Sequence, residues 1–192
     1  MRRRDFLTSS LLLAATPATG LAAKSRERDP ALAEALRRAA HDTETFEDRF
    51  EAEVWLKDMS ARIGSWRVKN PDERVAILKG VHREAARIDL SPGLVLAVIE
   101  CESNFDRFAI SVAGARGLMQ VMPFWLDEIG KPNDSLFDID TNLRMGCTIL
   151  RHYYDWEKGD LHKCLARYNG SVGSRRYSGK VLDRLRTRWR AA

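Results

Sequence analysis

Little in this 192-residue chain is extreme, and each shortage removes a class of function. There are three cysteines, too few for a disulfide-built scaffold. Cys101, Cys147 and Cys164 allow three single pairings, each leaving one thiol over. The Cys147–Cys164 pair on two successive predicted helices and three buried thiols both stay open. The four histidines, at 41, 82, 152 and 162, have no metal-ligand spacing with each other or with the cysteines, and no metal or other cofactor is expected. No apolar run is long enough to cross a bilayer. There is no internal repeat, no low-complexity linker and no alternating strand pattern of useful length. Net charge is +5, of which Arg2, Arg3, Arg4 and Asp5 supply +2. The +3 that remains beyond residue 23 gives no argument for nucleic acid.

What is present is helical and well punctuated, with 44% hydrophobic and 31% charged residues, enough for one domain with a sizeable core. Arg2, Arg3 and Arg4 precede a short apolar stretch at 6–15 and small residues around Ala22 and Ala23, the pattern of an export signal with a twin-arginine cast. Residues 1–23 are therefore expected to be removed, and the mature chain to be exported and periplasmic, with no integral membrane segment. From Arg28-Asp29-Pro30, apolar residues at 32, 36, 39, 46, 50, 54, 59 and 63 recur at helical steps until Gly64. This makes 24–68 a helical N-terminal extension with one apolar stripe, packed on a domain at 69–192. Asn70-Pro71 and Ser91-Pro92 are helix starts, each an N-cap followed by proline at the first helical position. Residues 94–99 are all apolar, so their helix is buried on every side. Residues 104–140 break into Gly-, Pro- and Asp-containing loops. Helical periodicity returns over 142–156, 161–168 and 175–189.

The chemistry gathers where the buried helix ends, at Glu100-Cys101-Glu102. A carboxyl group placed there is disfavoured as an anion by burial and by the negative end of the helix dipole, so it keeps its proton and can act as a general acid. Glu100 and Glu102 lie about 200° apart around a helix, so only one faces a given cleft, and periodicity does not choose. Gly114 and Gly117 allow turns or close backbone approach, and Gln120 offers both a donor and an acceptor.

Three runs taken together decide: Glu102-Ser103-Asn104-Phe105, then Ser111-Val112-Ala113-Gly114-Ala115-Arg116-Gly117-Leu118-Met119-Gln120, then Ala166-Arg167-Tyr168-Asn169-Gly170. Their order and spacing resemble the soluble lytic transglycosylase (SLT) family with its lysozyme-like domain. The resemblance implies a mostly α, lysozyme-like (goose-type/SLT) helical domain with the helical extension before it. It implies Glu102 as catalytic acid, with Glu100 a supporting or surface residue. Ser103, Ser111, Met119, Gln120, Tyr168, Asn169 and Tyr177 are implied to bind substrate, and peptidoglycan glycan strands to be the partner. Protein partners are not legible. The implied reaction cleaves the MurNAc-β-1,4-GlcNAc bond with formation of a 1,6-anhydro sugar. The alternatives are a lysozyme-type hydrolase and a silent wall-binding module. One departure stands out: some members carry Glu four residues before the last tyrosine, and this chain has Gly173. Asp106 is read as a surface acid. Trp125 is read first as core and second as a sugar contact.

Overall fold

The computed structural model describes residues 49–190; the export signal and most of the extension lie outside the described residues. Seven α-helices follow in order: α1 (Arg49–Ile63), α2 (Pro71–Arg87), α3 (Pro92–Glu102), α4 (Trp125–Ile129), α5 (Ile139–Trp156), α6 (Leu161–Tyr168) and α7 (Arg176–Arg184). A π-helical turn, Leu185–Trp189, continues α7. Among the described residues there is no strand, only isolated bridges of Arg116 with Ile110 and with Val121.

The starts are set by the residues that the spacing picks out. Asn70 accepts from the backbone N–H groups of Asp72 and Glu73, and Ser91 accepts from Gly93. Helix α5 begins at Ile139, earlier than the periodicity suggests, because Asp138 caps it through the Thr141 N–H. The helix expected over 175–189 changes pitch after Arg184.

Helix α3 is the axis. Residues 94–99 are at most 3% exposed, and each large side chain among them contributes about 1.5–3 kcal/mol by leaving water. Around it, α2, α7 and the π turn pack directly, α5 joins α2 to α6, and α1 lies on α2. Gly93 is needed at the π turn, since a Cβ there would come within 2.3 Å of the Trp189 carbonyl oxygen.

Helix α1 buries Ala52, Leu56, Met59 and Ile63, whereas Phe50 and Val54 are exposed. The stripe read from sequence therefore needs correcting. The step from Val54 to Met59 turns the helix by 500°, which leaves the two residues about 140° apart. Gly64 ends α1 in the left-handed region, at φ +78°. The Cys147–Cys164 pairing is also corrected: all three thiols are free. Cys147 Sγ lies 3.9 Å from Met119 Sδ, while Cys164 Sγ points 3.6 Å from the Leu150 carbonyl oxygen. Both thiols are buried in the core as small hydrophobes.

Candidate active site

Glu102 is the last residue of α3 and half-buried, at the wall of a cleft of about 500 Å³. The Tyr177 hydroxyl donates to Glu102 Oε1 at 2.5 Å. Burial pushes the Glu102 carboxyl above its ordinary value, and this outweighs the opposing hydrogen bond from Tyr177, the charge of Lys180 and a hydrogen bond from Asn169. Tyr177 itself is pushed well above the usual tyrosine range, by burial first and by Glu102 second. It stays a phenol and remains a donor.

Glu100 faces a different world. Its Oε1 meets Arg67 at 2.7 Å and Arg188 at 3.2 Å, and its Oε2 accepts from Trp189 Nε1 at 2.7 Å. It lines the same cleft, yet both oxygens are already held. The Arg67 Nε–H also donates to Asn104 Oδ1 at 2.7 Å. Asn104 and Phe105, directly after the helix, have φ of +51° and +70°. Two non-glycine residues in the left-handed region are costly. The Arg67 bond to Asn104 and the buried Phe105 ring, 5.5 Å from Trp189, hold them there. The ion pair at Glu100 thus underpins the turn that follows Glu102.

The Gly-rich loop forms the facing wall. Arg116 and Val121 exchange backbone hydrogen bonds at 2.9 and 3.0 Å. Ser103 Oγ ties the helix end to this loop, 2.8 Å from the Leu118 carbonyl oxygen. Ser111 Oγ accepts from the Ala115 N–H at 3.0 Å. Gln120, at φ +51°, lines the cleft and donates from Nε2 to the carbonyl oxygens of Ala109 and Gly117. Beneath the loop, Asn142 is 1% exposed and makes three bonds. It accepts from Met119 N–H at 2.8 Å and donates to Arg116 and Leu136 carbonyls at 2.9 and 2.8 Å. Gly117 lies flat on it, because a Cβ would sit 2.3 Å from Asn142 Nδ2. By contrast, a Cβ on Gly114 would meet nothing.

The cleft therefore brings together Glu102, Ser103, Ser111 and Gln120 among the residues singled out from sequence. Tyr177 and Asn169 reach it through Glu102. Met119 is a correction: its side chain is fully buried against Cys147 and Gly146, because α5 passes directly beneath it. Only its backbone serves the site. The Tyr168 hydroxyl donates to the Met119 carbonyl oxygen at 2.8 Å and braces the loop. Asp106 is exposed and caps the Phe108 N–H. Trp125 packs partly on the core and is not among the cleft-lining residues.

Residues 81–184 match the model of the transglycosylase SLT domain. The chain belongs to this family. Among curated relatives, a transglycosylase of Enterobacteria phage PRD1 is 32% identical over 53% of this chain and 40% of its own length. Membrane-bound lytic murein transglycosylase C of Yersinia pestis is 31% identical over 49% of this chain and 31% of its own. The chain thus spans well under half of these curated relatives. Lytic transglycosylase Slt of Pseudomonas aeruginosa, solved as an inactive mutant, superposes with a TM-score of 0.52 at 19% identity, over 82% of this chain and 36% of that one. That likeness establishes the lysozyme-like SLT fold.

Several residues of this SLT domain escaped sequence reasoning. Arg67, outside the matched segment, reaches the cleft through Glu100; a lone arginine in a linker carries no signal for that. Asn142 reads as an ordinary helix residue. Lys180 and Arg184, three and seven residues after Tyr177, could have been found from their helical register with it.

Proposed function

We propose that this chain is an exported lytic transglycosylase that cuts peptidoglycan between N-acetylmuramic acid and N-acetylglucosamine and leaves a 1,6-anhydro sugar. The observation that carries the proposal is the half-buried Glu102, its carboxyl pushed above its ordinary value, with a tyrosine donor on one oxygen. With Oε1 occupied by Tyr177, Oε2 is the oxygen that holds the proton toward the glycosidic oxygen. As the bond breaks, the 2-acetamido group of the muramoyl sugar stabilises the cation at C1, as in glycosidases that lack a carboxylate nucleophile. The Tyr177 and Asn169 hydrogen bonds stabilise the newly formed Glu102 anion. That anion then takes the proton of the sugar's own 6-hydroxyl, whose oxygen closes on C1. No water is consumed.

A single working carboxyl group fits the surroundings. Glu100, the other acid at the cleft, is held by Arg67, Arg188 and Trp189, and is not placed to activate a water. Gln120 is assigned to hold the N-acetyl or hydroxyl groups through its oxygen, with Ser103 and Ser111 at the rim. Tyr168 and Met119 shape the wall. The arginine-led N-terminus supports export to the compartment that holds peptidoglycan, and among the described residues no helix is long and apolar enough to cross a membrane.

The test is mass spectrometry of soluble fragments released from purified sacculi. Anhydro-muropeptides, lighter by one water than hydrolysis products, are expected from the wild type and not from Glu102→Gln. Fully hydrated ends would make the chain a hydrolase, and unimpaired digestion by Glu102→Gln would remove Glu102 from its role.

A further inference from the structure

Helix α7 turns one face to the cleft. Tyr177 touches Glu102, Lys180 follows one turn later, and Arg184 lies about 10 Å along the axis from Tyr177. Both cations line the cleft. Lys180 is exposed, and among the described residues it has neither a salt bridge nor a hydrogen-bonded partner. Arg184 has only a 3.9 Å approach to Glu100 Oε1, longer than the 2.7 and 3.2 Å of Arg67 and Arg188. Glu100 is thus already neutralised by two other arginines, and Arg67 is spent on Glu100 and Asn104. Lys180 and Arg184 remain as the cleft's cations without a close ion pair, beside the group proposed to cut the glycan. Two cations on one helical face, both lining the cleft, suit a carboxylate.

We propose that Lys180 and Arg184 form a carboxylate subsite that engages the acidic substituent of the muramoyl sugar, so that the enzyme discriminates strands by the charge they carry beside the scissile bond. The inference rests on the functional reading above and adds the part of the substrate that the sugar contacts leave unread. Two sources offer the same chemistry. A peptide-bearing strand presents free carboxylates along its stem, while its lactyl group is an uncharged amide. A strand stripped of its stems presents the lactyl carboxylate instead.

The experiment uses the purified full chain with three substrates: stem-bearing strands, the same strands with stem carboxylates amidated, and stem-free strands. Wild type is expected to process amidated strands with about tenfold lower kcat/KM, the loss of one charge-assisted hydrogen bond. Lys180→Met and Arg184→Met are expected to lose that discrimination, chiefly through KM on the stem-bearing strands. Taking ratios between substrates cancels whatever Lys180 does to the charge of Glu102. Stem-free strands name the source: sensitivity to Lys180→Met there assigns the lactyl carboxylate, and insensitivity assigns the stem. Variants that slow stem-bearing, amidated and stem-free strands by one factor, or slow none of the three, overturn the subsite. Absence of any release by wild type would instead defeat the functional reading. Binding of the three strands by Glu102→Gln, with and without Lys180→Met, then decides the subsite on its own.

Discussion

Replacing Asn142 by aspartate changes one atom and asks the most of the structure. Asn142 Oδ1 keeps its bond from the Met119 N–H, but Nδ2, donor to two carbonyls at 2.9 and 2.8 Å, becomes an oxygen facing both. If that oxygen carries a proton it donates to one carbonyl, and the bond to the other is lost and replaced by an oxygen–oxygen contact, at a cost of about 1–3 kcal/mol. Holding the proton at pH 7, against an ordinary aspartate value of about 3.9, costs roughly 4 kcal/mol more. Letting it ionise instead buries an unpaired charge among acceptors, with a penalty of similar size. The sign is fixed. An acid whose folded-state pKa is raised is penalised least below its unfolded value, and the penalty grows as pH climbs above it. Urea unfolding followed by tryptophan fluorescence should show Asn142→Asp destabilised by about 1–3 kcal/mol relative to wild type at pH 4 and by roughly 5–7 kcal/mol at pH 7, which exhausts the stability of many domains. Asn142→Ala, which loses the same bonds without a titrating group, should differ from wild type equally at both pH values. A difference for Asn142→Asp of under about 1 kcal/mol at pH 7, or one that does not shrink in acid, would refute the role of Asn142 as the pin of the loop.

Other perturbations test other joints of the site. Tyr177→Phe removes a donor that favours ionised Glu102, so the Glu102 pKa rises further and the alkaline limb of kcat/KM moves to higher pH; kcat should fall about tenfold or more, as for loss of one charge-assisted hydrogen bond. An unmoved alkaline limb would mean that Tyr177 does not act through Glu102. Gly117→Ala combines φ of +76° with a Cβ 2.3 Å from Asn142 Nδ2 and the Leu136 carbonyl oxygen, and should cost about 2–5 kcal/mol in chemical unfolding, whereas Gly114→Ala, with open space around it, should cost no more than the 1–2 kcal/mol of its backbone conformation. Glu100→Gln leaves Arg67 and Arg188 around a neutral amide and should destabilise by about 3–5 kcal/mol in the same assay, with activity falling as the 104–105 turn loosens.

Sequence patterns disclosed what is local. Caps at Asn70 and Ser91, the all-apolar run at 94–99 and the glycine stop at 64 are properties of a few adjacent residues, and each appears in the fold. Local patterns by themselves do not show what depends on a partner far along the chain. Arg67 meets Glu100 across 33 positions, and Tyr177 meets Glu102 across 75. The periodicity of α1 misled because apolar residues occur on both sides of that helix, and only packing on α2 decides which side is inside. Met119 misled for the opposite reason. It sits in a motif beside Gln120, but adjacent residues in a tight loop point apart, one to the cleft and one to α5.

The last turn of α3 joins these two kinds of information. Periodicity places Glu100 and Glu102 on opposite sides, and the fold gives the sides opposite electrostatics. Glu100 enters a nest of arginines and an indole N–H that hold both of its oxygens. Glu102 enters a space where burial outweighs the donors around it and pushes its carboxyl above its ordinary value. The first acid could not do the work of the second, because both of its oxygens are already bound to other side chains. Nor could the second do the work of the first: a neutral acid would leave Arg67 unheld, and with it the left-handed turn at Asn104 and Phe105. Two glutamates two residues apart are therefore not alternatives for one role. One makes the turn rigid, and that rigidity keeps the other aimed into the cleft.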